Sequence, residues 1–369
     1  MSDSPQGSWH GVVGHLDVVS RFEAMLAGGR MASTFLLVGP SGIGKRTFAI
    51  QLAKALLCKH SPDGRLKACG RCPDCLQVDS LSHTDLQVIS KPADKAFIPL
   101  ELLIGDKEHR MRAGLCYDLS LRPRDGGRKI AIIDDADYLN KEGANALLKT
   151  LEEPPPRSVL MLLGTSEQRQ LPTIRSRCQI IRMSRLHETS IADLLVRHQL
   201  CDSPELAAKI AGLSAGSMQQ AILLLGEGVL EFRRDLLAKL STLPLETLGV
   251  AKMVSQFVEA AGKESPAKRA RMKQVLEMAQ QLYRGFLYAA TTGTEPAIEE
   301  RDHELTSAVQ KLYRTLGPQP ELAADLVDLA IDAETHIDGN VNLTGLAEWW
   351  TGSTSGLTTK LARGQATRR

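Results

Sequence analysis

The chain has 369 residues, which is enough for two or three domains. Its hydrophobic content of 43% is typical of globular proteins, and a formal net charge of +2 predicts no particular partner. No apolar run approaches the roughly 18 residues of a membrane span, and the start, Met1-Ser-Asp-Ser-Pro, lacks the pattern of a signal peptide. We therefore expect a cytoplasmic protein with no membrane contact, whose seven cysteines are thiols or metal ligands.

A glycine-rich stretch predicts a phosphate-binding loop. It follows the apolar strand Thr34-Phe-Leu-Leu-Val and consists of Gly39-Pro-Ser-Gly42-Ile-Gly44-Lys45-Arg46-Thr47. In this motif, backbone N–H groups at a helix N-terminus bind phosphate and the lysine adds a positive charge. The motif places a Mg²⁺-ligating Ser or Thr after the lysine, whereas Arg46 has no acceptor atom. The sequence predicts either an impaired cation site, or an Arg46 that points to solvent while Thr47 or a water serves Mg²⁺.

Two further strand ends supply candidates for the same site. The apolar strand that begins at Arg128 ends in Asp134 and Asp135, where P-loop proteins place a metal-positioning Asp and a water-orienting residue. Asp134 fits the first role, and Asp135 is one methylene shorter than the Glu expected for the second. The alternative is a solvated acidic turn. Thr165, which follows the apolar strand 158–164, completes the candidate nucleotide-binding set.

Four cysteines follow the helix of the phosphate-binding loop. They are spaced C-x10-C-x2-C-x2-C and are Cys58, Cys69, Cys72 and Cys75. Four thiolates at this spacing can close a tetrahedral, structural Zn²⁺ site that leaves no open position. An iron–sulfur cluster and four unrelated thiols remain as alternatives. We expect zinc, because three cysteines so close together beside Gly and Pro rarely serve another purpose in a reducing compartment.

The order of predicted elements indicates an α/β fold followed by a helical region. Strands alternate with helices over the first 185 residues, including a helix predicted over 97–119, which specifies a mostly parallel sheet with helices on both faces. From Glu188 onward the pattern predicts only helices. The tail from Gly352 is small and polar and ends in basic residues, so we expect it to be disordered.

Four motifs in sequence order carry a resemblance to a known family. They are the phosphate-binding loop, the four-cysteine module, the block Asn145-Ala-Leu-Leu-Lys-Thr-Leu-Glu-Glu-Pro-Pro155 and the triplet Ser176-Arg177-Cys178. Together they resemble the bacterial clamp-loader subunits of the AAA+ class, most clearly over residues 10–220. The segment Asp338-Gly-Asn340-Val-Asn342-Leu resembles the last helix of that family's collar domain.

This resemblance implies a domain plan. Residues 1–185 would form an AAA+ P-loop (RecA-like) α/β domain, with the zinc module inserted at 58–75. Residues 186–243 would form a small helical lid, residues 244–350 an all-α collar for oligomerisation, and residues 351–369 the disordered tail.

Departures from the family pattern imply a non-motor subunit. Where the motor subunits carry Thr, Glu and a lid arginine, this chain has Arg46, Asp135 and Gln219. The resemblance therefore implies weak or absent ATPase activity in a chain that is part of the DNA polymerase III complex, and a nucleotide site for ATP and Mg²⁺ that is degenerate. Arg177 is retained, and in the family this arginine acts as a finger that reaches the ATP site of the neighbouring subunit.

The same resemblance implies the partners. They would be a gamma/tau-like ATPase subunit, a delta-like clamp opener, the sliding clamp and primed DNA within the complex. One alternative is an ATP-hydrolysing motor subunit of the same loader. Another is a stand-alone, zinc-dependent DNA-binding protein, which four thiolate ligands and the absence of a basic, aromatic-rich stripe disfavour.

Overall fold

The computed structural model describes residues 8–62, 64–92, 95–124, 127–263, 265–297, 300–337 and 341–366. Two compact units divide the chain, Met1–Ala221 and Ile222–Arg369. No helix in the described part of the chain combines the length and the apolarity needed to span a bilayer. The candidate site residues all belong to the first unit.

The first unit is built on a five-stranded sheet. A small antiparallel hairpin, β1 (Ser8–Trp9) and β2 (Val12–Val13), precedes it. The sheet strands are β3 (Thr34–Val38), β4 (Leu86–Ile89), β5 (Lys129–Ile133), β6 (Ser158–Gly164) and β7 (Gln179–Arg182). They lie in the order β4-β5-β6-β3-β7, and every pairing is parallel. This confirms the predicted α/β fold with a parallel sheet.

The central strands are buried on both faces. Every residue of β3, β5 and β6 is buried, as expected for parallel strands covered by helices on each side. Successive side chains point to opposite faces, so Phe35 and Leu37 join one apolar cluster while Leu36 and Val38 join the other. The sheet therefore serves as the shared wall of two cores.

Helices cover these two faces. Those of the first unit are α1 (Leu16–Ala27), α2 (Lys45–Leu57), α3 (Pro73–Asp79), α4 (Leu100–Ile104), α5 (Leu115–Ser120), α6 (Lys141–Glu152), α7 (Pro172–Arg175), α8 (Glu188–Arg197), α9 (Pro204–Leu213) and α10 (Met218–Leu224), which extends past the unit boundary. Phe22 of α1 and Phe48 of α2 pack on one face, and Leu119 of α5 and Leu147 of α6 pack on the other.

The single helix predicted over 97–119 is wrong. The segment forms α4 and α5 with a loop between them, because two glycines bring the backbone together there. Gly105 and Gly114 have φ values of +82° and +85°, and a Cβ on Gly114 would lie 2.7 Å from the backbone nitrogen of Gly105. Only glycine tolerates both conditions.

The described part of the second unit is helical, as the pattern after Glu188 predicts. Its helices are α11 (Val229–Leu240), α12 (Thr247–Glu259), α13 (Ser265–Thr292), α14 (His303–Leu316), α15 (Pro320–Ile337) and α16 (Leu343–Ala366). Residues 338–340 of the segment likened to the collar's last helix lie outside the described residues, and α16 begins at the segment's final residue, Leu343.

The prediction of a disordered tail from residue 351 is wrong for residues 351–366, because α16 continues to Ala366. Its small polar residues are compatible with burial, because their hydroxyls bond within the helix. Thr351, Thr354 and Thr358 are buried and donate to carbonyl oxygens four residues earlier at 2.9, 2.8 and 3.0 Å. The threonine hydroxyl has its hydrogen-bonding partner inside the helix and needs none from solvent. Residues 367–369 lie outside the described residues.

Candidate functional site

The glycine-rich loop lies at the carboxyl edge of the sheet. It connects β3 to α2, and the Gly39 N–H donates to the carbonyl of Gly164 at the end of β6 (3.3 Å). Gly42 and Gly44 have φ values of +75° and +94°, a conformation that glycine adopts without strain. Gly44 caps α2, which begins at Lys45. The motif therefore has the expected strand–loop–helix context.

Lys45 is turned back onto its own loop. Its Nζ donates to the carbonyl oxygens of Gly39 and Pro40 at 2.6 and 2.7 Å. Burial lowers the pKa of Lys45, and the nearby carboxylates of Asp137, Asp134 and Asp135 act in the opposite direction. The ammonium group thus has loop carbonyls as partners, and a phosphate would have to compete with them.

A helix N-terminus closes over the loop from the other side. The N–H of Met218, the first residue of α10, donates to the carbonyl of Gly42 at 2.9 Å. A Cβ placed on Gly42 would lie 2.5 Å from the Cβ of Gln219. The structure therefore brings Gln219, which we predicted to replace the lid arginine of the motor subunits, directly against the glycine-rich loop.

Arg46 pairs with the strand-end carboxylate. Its Nη1 lies 3.0 Å from Oδ2 of Asp134, and the side chains are 43% and 21% exposed. The other oxygen of Asp134 accepts the N–H of Asp135 at 3.0 Å. Both oxygens of the candidate Mg²⁺-positioning carboxylate are therefore engaged. The alternative in which Arg46 points to solvent is wrong, because the guanidinium lies at the carboxylate.

The acidic turn after β5 contains one functional candidate that the sequence analysis did not single out. Asp137 accepts hydrogen bonds from the Thr165 N–H (2.8 Å), the Thr165 hydroxyl (2.5 Å) and the Gln170 amide (2.5 Å). It therefore fixes Thr165 at the end of β6. The only signal for it in the sequence was a third carboxylate in the turn.

Asp135, the predicted water-orienting residue, lies in the same turn with a φ of +58°. Burial, together with the charge of Asp134, raises the pKa of Asp135.

Arg177 lies at the opposite edge of the sheet. Its carbonyl oxygen accepts the hydroxyl of Thr34, the first residue of β3, at 2.7 Å, whereas the glycine-rich loop begins after the last residue of that strand. A strand rises about 3.3 Å per residue, so the five steps from Thr34 to Gly39 span about 16 Å. An arginine side chain does not bridge that distance. The structure therefore does not bring Arg177 together with the other nucleotide-site candidates.

The guanidinium of Arg177 is held within its own chain. Its Nε donates to Oε1 of Glu152 at 2.8 Å, and its Nη2 lies 2.5 Å from the same oxygen. Its Nη1 donates to the Thr173 carbonyl at 3.0 Å and to the Ser176 hydroxyl at 3.1 Å. Because 32% of the arginine side chain is exposed, the group is accessible at the surface of the unit.

The four predicted cysteine ligands form one cluster. Their Sγ atoms all lie within 4.8 Å of one another, and the Cys58–Cys72 and Cys69–Cys75 pairs are each 3.9 Å apart. Zn–S bonds of about 2.3 Å in a tetrahedron separate the sulfur atoms by about 3.8 Å. The set therefore fits a metal ion such as zinc.

Backbone groups support this cluster. N–H groups of Cys69, Cys72 and Cys75 donate to sulfur atoms of the preceding cysteines at 3.3–3.4 Å. Backbone hydrogen bonds from Arg71 and Cys72 lower the pKa of Cys69 to about 6, whereas burial raises the pKa of Cys75 to about 12. The cluster follows the carboxyl end of α2, so the 13 residues of that helix, about 20 Å long, separate it from the glycine-rich loop. It is too far away to take part in chemistry there.

Comparisons with known proteins identify relatives of this chain. A family model described as "DNA polymerase III, delta subunit" matches residues 14–187. DNA polymerase III subunit delta' of Pseudomonas aeruginosa is 33% identical over 63% of this chain and 66% of its own length. The delta' subunit of Bacillus subtilis is 25% identical over 86% of this chain and 89% of its own length.

A more distant similarity extends to another subunit type. The tau/gamma subunit of Haemophilus influenzae is 29% identical over 59% of this chain, but this alignment covers only 30% of that protein. The residues that the family model matches include the sheet, the glycine-rich loop, the cysteine cluster and Arg177 with the residues on either side of it, here called the Arg177 loop. The chain belongs to the clamp-loader delta' family of DNA polymerase III.

Proposed function

We propose that this chain is the non-motor delta' subunit of a cytoplasmic DNA polymerase III clamp loader. It would assemble with a gamma/tau-like ATPase and a delta-like clamp opener, and help to load the sliding clamp on primed DNA. In this proposal residues 1–185 form the AAA+ domain, 186–243 the lid and 244–350 the collar that assembles with other subunits. The family membership and the geometry around Arg46 and Arg177 support it.

The ion pair between Arg46 and Asp134 is the observation that carries the non-motor assignment. P-loop enzymes hold Mg²⁺ with the Ser or Thr after the lysine and with a strand-end Asp. Here the first ligand is replaced by a donor-only group, and that group neutralises the second at 3.0 Å. A divalent cation at this position would face a fixed positive charge. The site therefore disfavours binding of a Mg²⁺-nucleotide complex. Hydrolysis is disfavoured further because Lys45 is bonded to loop carbonyls and because Gln219 carries no positive charge.

The position of Arg177 supports a role toward a neighbouring subunit. The Arg177 backbone is bonded to Thr34, about 16 Å along β3 from the start of the chain's own glycine-rich loop, and an arginine side chain is too short to reach a nucleotide bound there. A surface guanidinium with a planar set of donors can neutralise the charge that develops on a transferring phosphoryl group. We propose that Arg177 does so at the ATP site of the gamma/tau-like neighbour.

The cysteine cluster has a structural role in this proposal. Cys58, Cys69, Cys72 and Cys75 would hold one Zn²⁺ through four sulfur atoms. The bound ion would supply a cross-link between the end of α2 and the start of α3, with no open position for catalysis. An iron–sulfur cluster on the same four thiolates is the alternative chemistry.

Replacing Arg46 tests whether it blocks the cation site. We expect the intact chain to bind a fluorescent ATP analogue no better in Mg²⁺ than in EDTA. Arg46→Thr restores a hydroxyl and frees Asp134, so its affinity should rise in Mg²⁺ by roughly tenfold, or about 1.4 kcal/mol. Arg46→Lys is the control, since it keeps the positive charge and should behave as the parent. Strong Mg²⁺-dependent binding and turnover by the unmodified chain would favour the motor-subunit alternative.

Replacing Arg177 tests the finger. In a reconstituted loader, Arg177→Ala should reduce the DNA-stimulated ATPase rate by about tenfold or more, because arginine fingers contribute roughly 10³–10⁵-fold at the site that they serve. Arg177→Lys keeps the charge but loses the planar donors, so we expect only partial activity. Size-exclusion chromatography verifies that each variant still assembles. A fully active Arg177→Ala loader would contradict the trans role.

Metal analysis tests the cluster. We expect about one zinc per chain in purified protein and little iron. Cys75→Ser should lose the zinc and lower the melting temperature by roughly 5 °C or more. Cys201→Ser is a matched control, because Cys201 is a buried thiol outside the cluster whose Sγ contacts the Ser203 carbonyl at 3.3 Å, a bond that serine can keep. A stable, metal-free parent protein would count against the zinc assignment. A protein that contains iron and absorbs visible light would favour the iron–sulfur alternative.

A further inference from the structure

Glu152 lies at the carboxyl end of α6, next to Arg177. It is the last residue of α6, which ends there because three prolines, Pro154–Pro156, follow and cannot continue the helix. A carboxylate at this position faces the negative end of the helix dipole, which is unfavourable by itself. The guanidinium of Arg177 offsets that charge at 2.5–2.8 Å.

The guanidinium of Arg177 has a charged partner on one side and neutral partners on the other. One oxygen of Glu152 engages both Nε and Nη2, which is a charge-assisted contact. On the other side, the partners of Nη1 among the described residues are both neutral, the Thr173 carbonyl at 3.0 Å and the Ser176 hydroxyl at 3.1 Å. Neutral hydrogen bonds are the weaker kind, so Nη1 exchanges its partners more readily than the Nε side does.

Two contacts, one with Thr34 and one with Glu152, restrain the backbone and the side chain of Arg177. The Thr34 hydroxyl fixes the Arg177 backbone to the sheet at 2.7 Å, and Glu152 fixes the Nε side of the guanidinium to the end of α6. With both ends of the residue restrained, few side-chain rotamers remain. An arginine that is ordered before docking loses less conformational entropy when it engages a ligand.

We propose that Glu152 is a positioning residue for Arg177. It holds the Nε side of the guanidinium in one orientation, so that Nη1 exchanges its two neutral partners for phosphate oxygens when a nucleotide-bearing neighbour docks. This inference rests on the proposed trans role of Arg177. Glu152 does not touch the nucleotide and acts only through the arginine.

The test is the ATPase of the reconstituted loader carrying Glu152→Gln. Glutamine keeps the shape and one acceptor oxygen but removes the charge, so the guanidinium loses its strong partner. We expect kcat to fall roughly tenfold, as misplacement of a positioned group does, while KM for ATP and the yield of assembled loader stay unchanged. Glu153→Gln is the matched control, because Glu153 is the adjacent exposed carboxylate and should leave kcat as it is.

A double variant separates the possible outcomes. If Glu152 acts through the arginine, adding Glu152→Gln to an Arg177→Ala loader changes nothing further. A second loss on that background would overturn the inference, as would a normal or raised kcat for Glu152→Gln alone in a loader that Arg177→Ala does slow. If Arg177→Ala has no effect at all, the trans role fails and the inference fails with it.

Discussion

The parallel sheet of the first unit determines which candidate residues can meet and which cannot. Parallel strands place all their carboxyl ends at one edge and all their amino ends at the other. The glycine-rich loop, Asp134 and Thr165 therefore meet at one edge, while the Arg177 loop is bonded to the first residue of β3 at the opposite edge. The glycine-rich loop and the Arg177 side chain therefore cannot act on the same phosphate. This separation favours a subunit that contributes to a neighbour's site.

At the carboxyl edge, a single substitution changes what the motif can do. The backbone of the loop is intact, with its left-handed glycines and a helix that starts at the lysine. Its charges, however, are satisfied internally, since Lys45 bonds loop carbonyls and Arg46 bonds Asp134. Backbone hydrogen bonds connect the loop to the end of β6 and to the first residue of α10. In the proposed function, this loop is therefore the frame of a nucleotide site that does not hydrolyse ATP.

Much of this could be predicted from the sequence, and the parts that could not have physical reasons. Local patterns predict the strands, the long helices and the four-cysteine cluster, because hydrophobic period and ligand spacing are short-range properties. They failed for the Gly105–Gly114 loop, where close backbone approach decides the path, and for the threonines of α16, whose hydroxyls bond within the helix. The pairing of Arg46 with Asp134 and of Arg177 with Glu152 joins residues 88 and 25 positions apart. Only the folded sheet brings such partners together.

The central claim is that this chain assists ATP hydrolysis on another subunit and performs none itself. The most direct test measures ATP turnover by the purified chain alone, by its gamma/tau-like partner alone, and by the assembled loader on primed DNA. We predict no turnover by the isolated chain and a higher rate for the partner once the chain has joined it. Turnover by the isolated chain at the rate of the assembled loader would contradict the account.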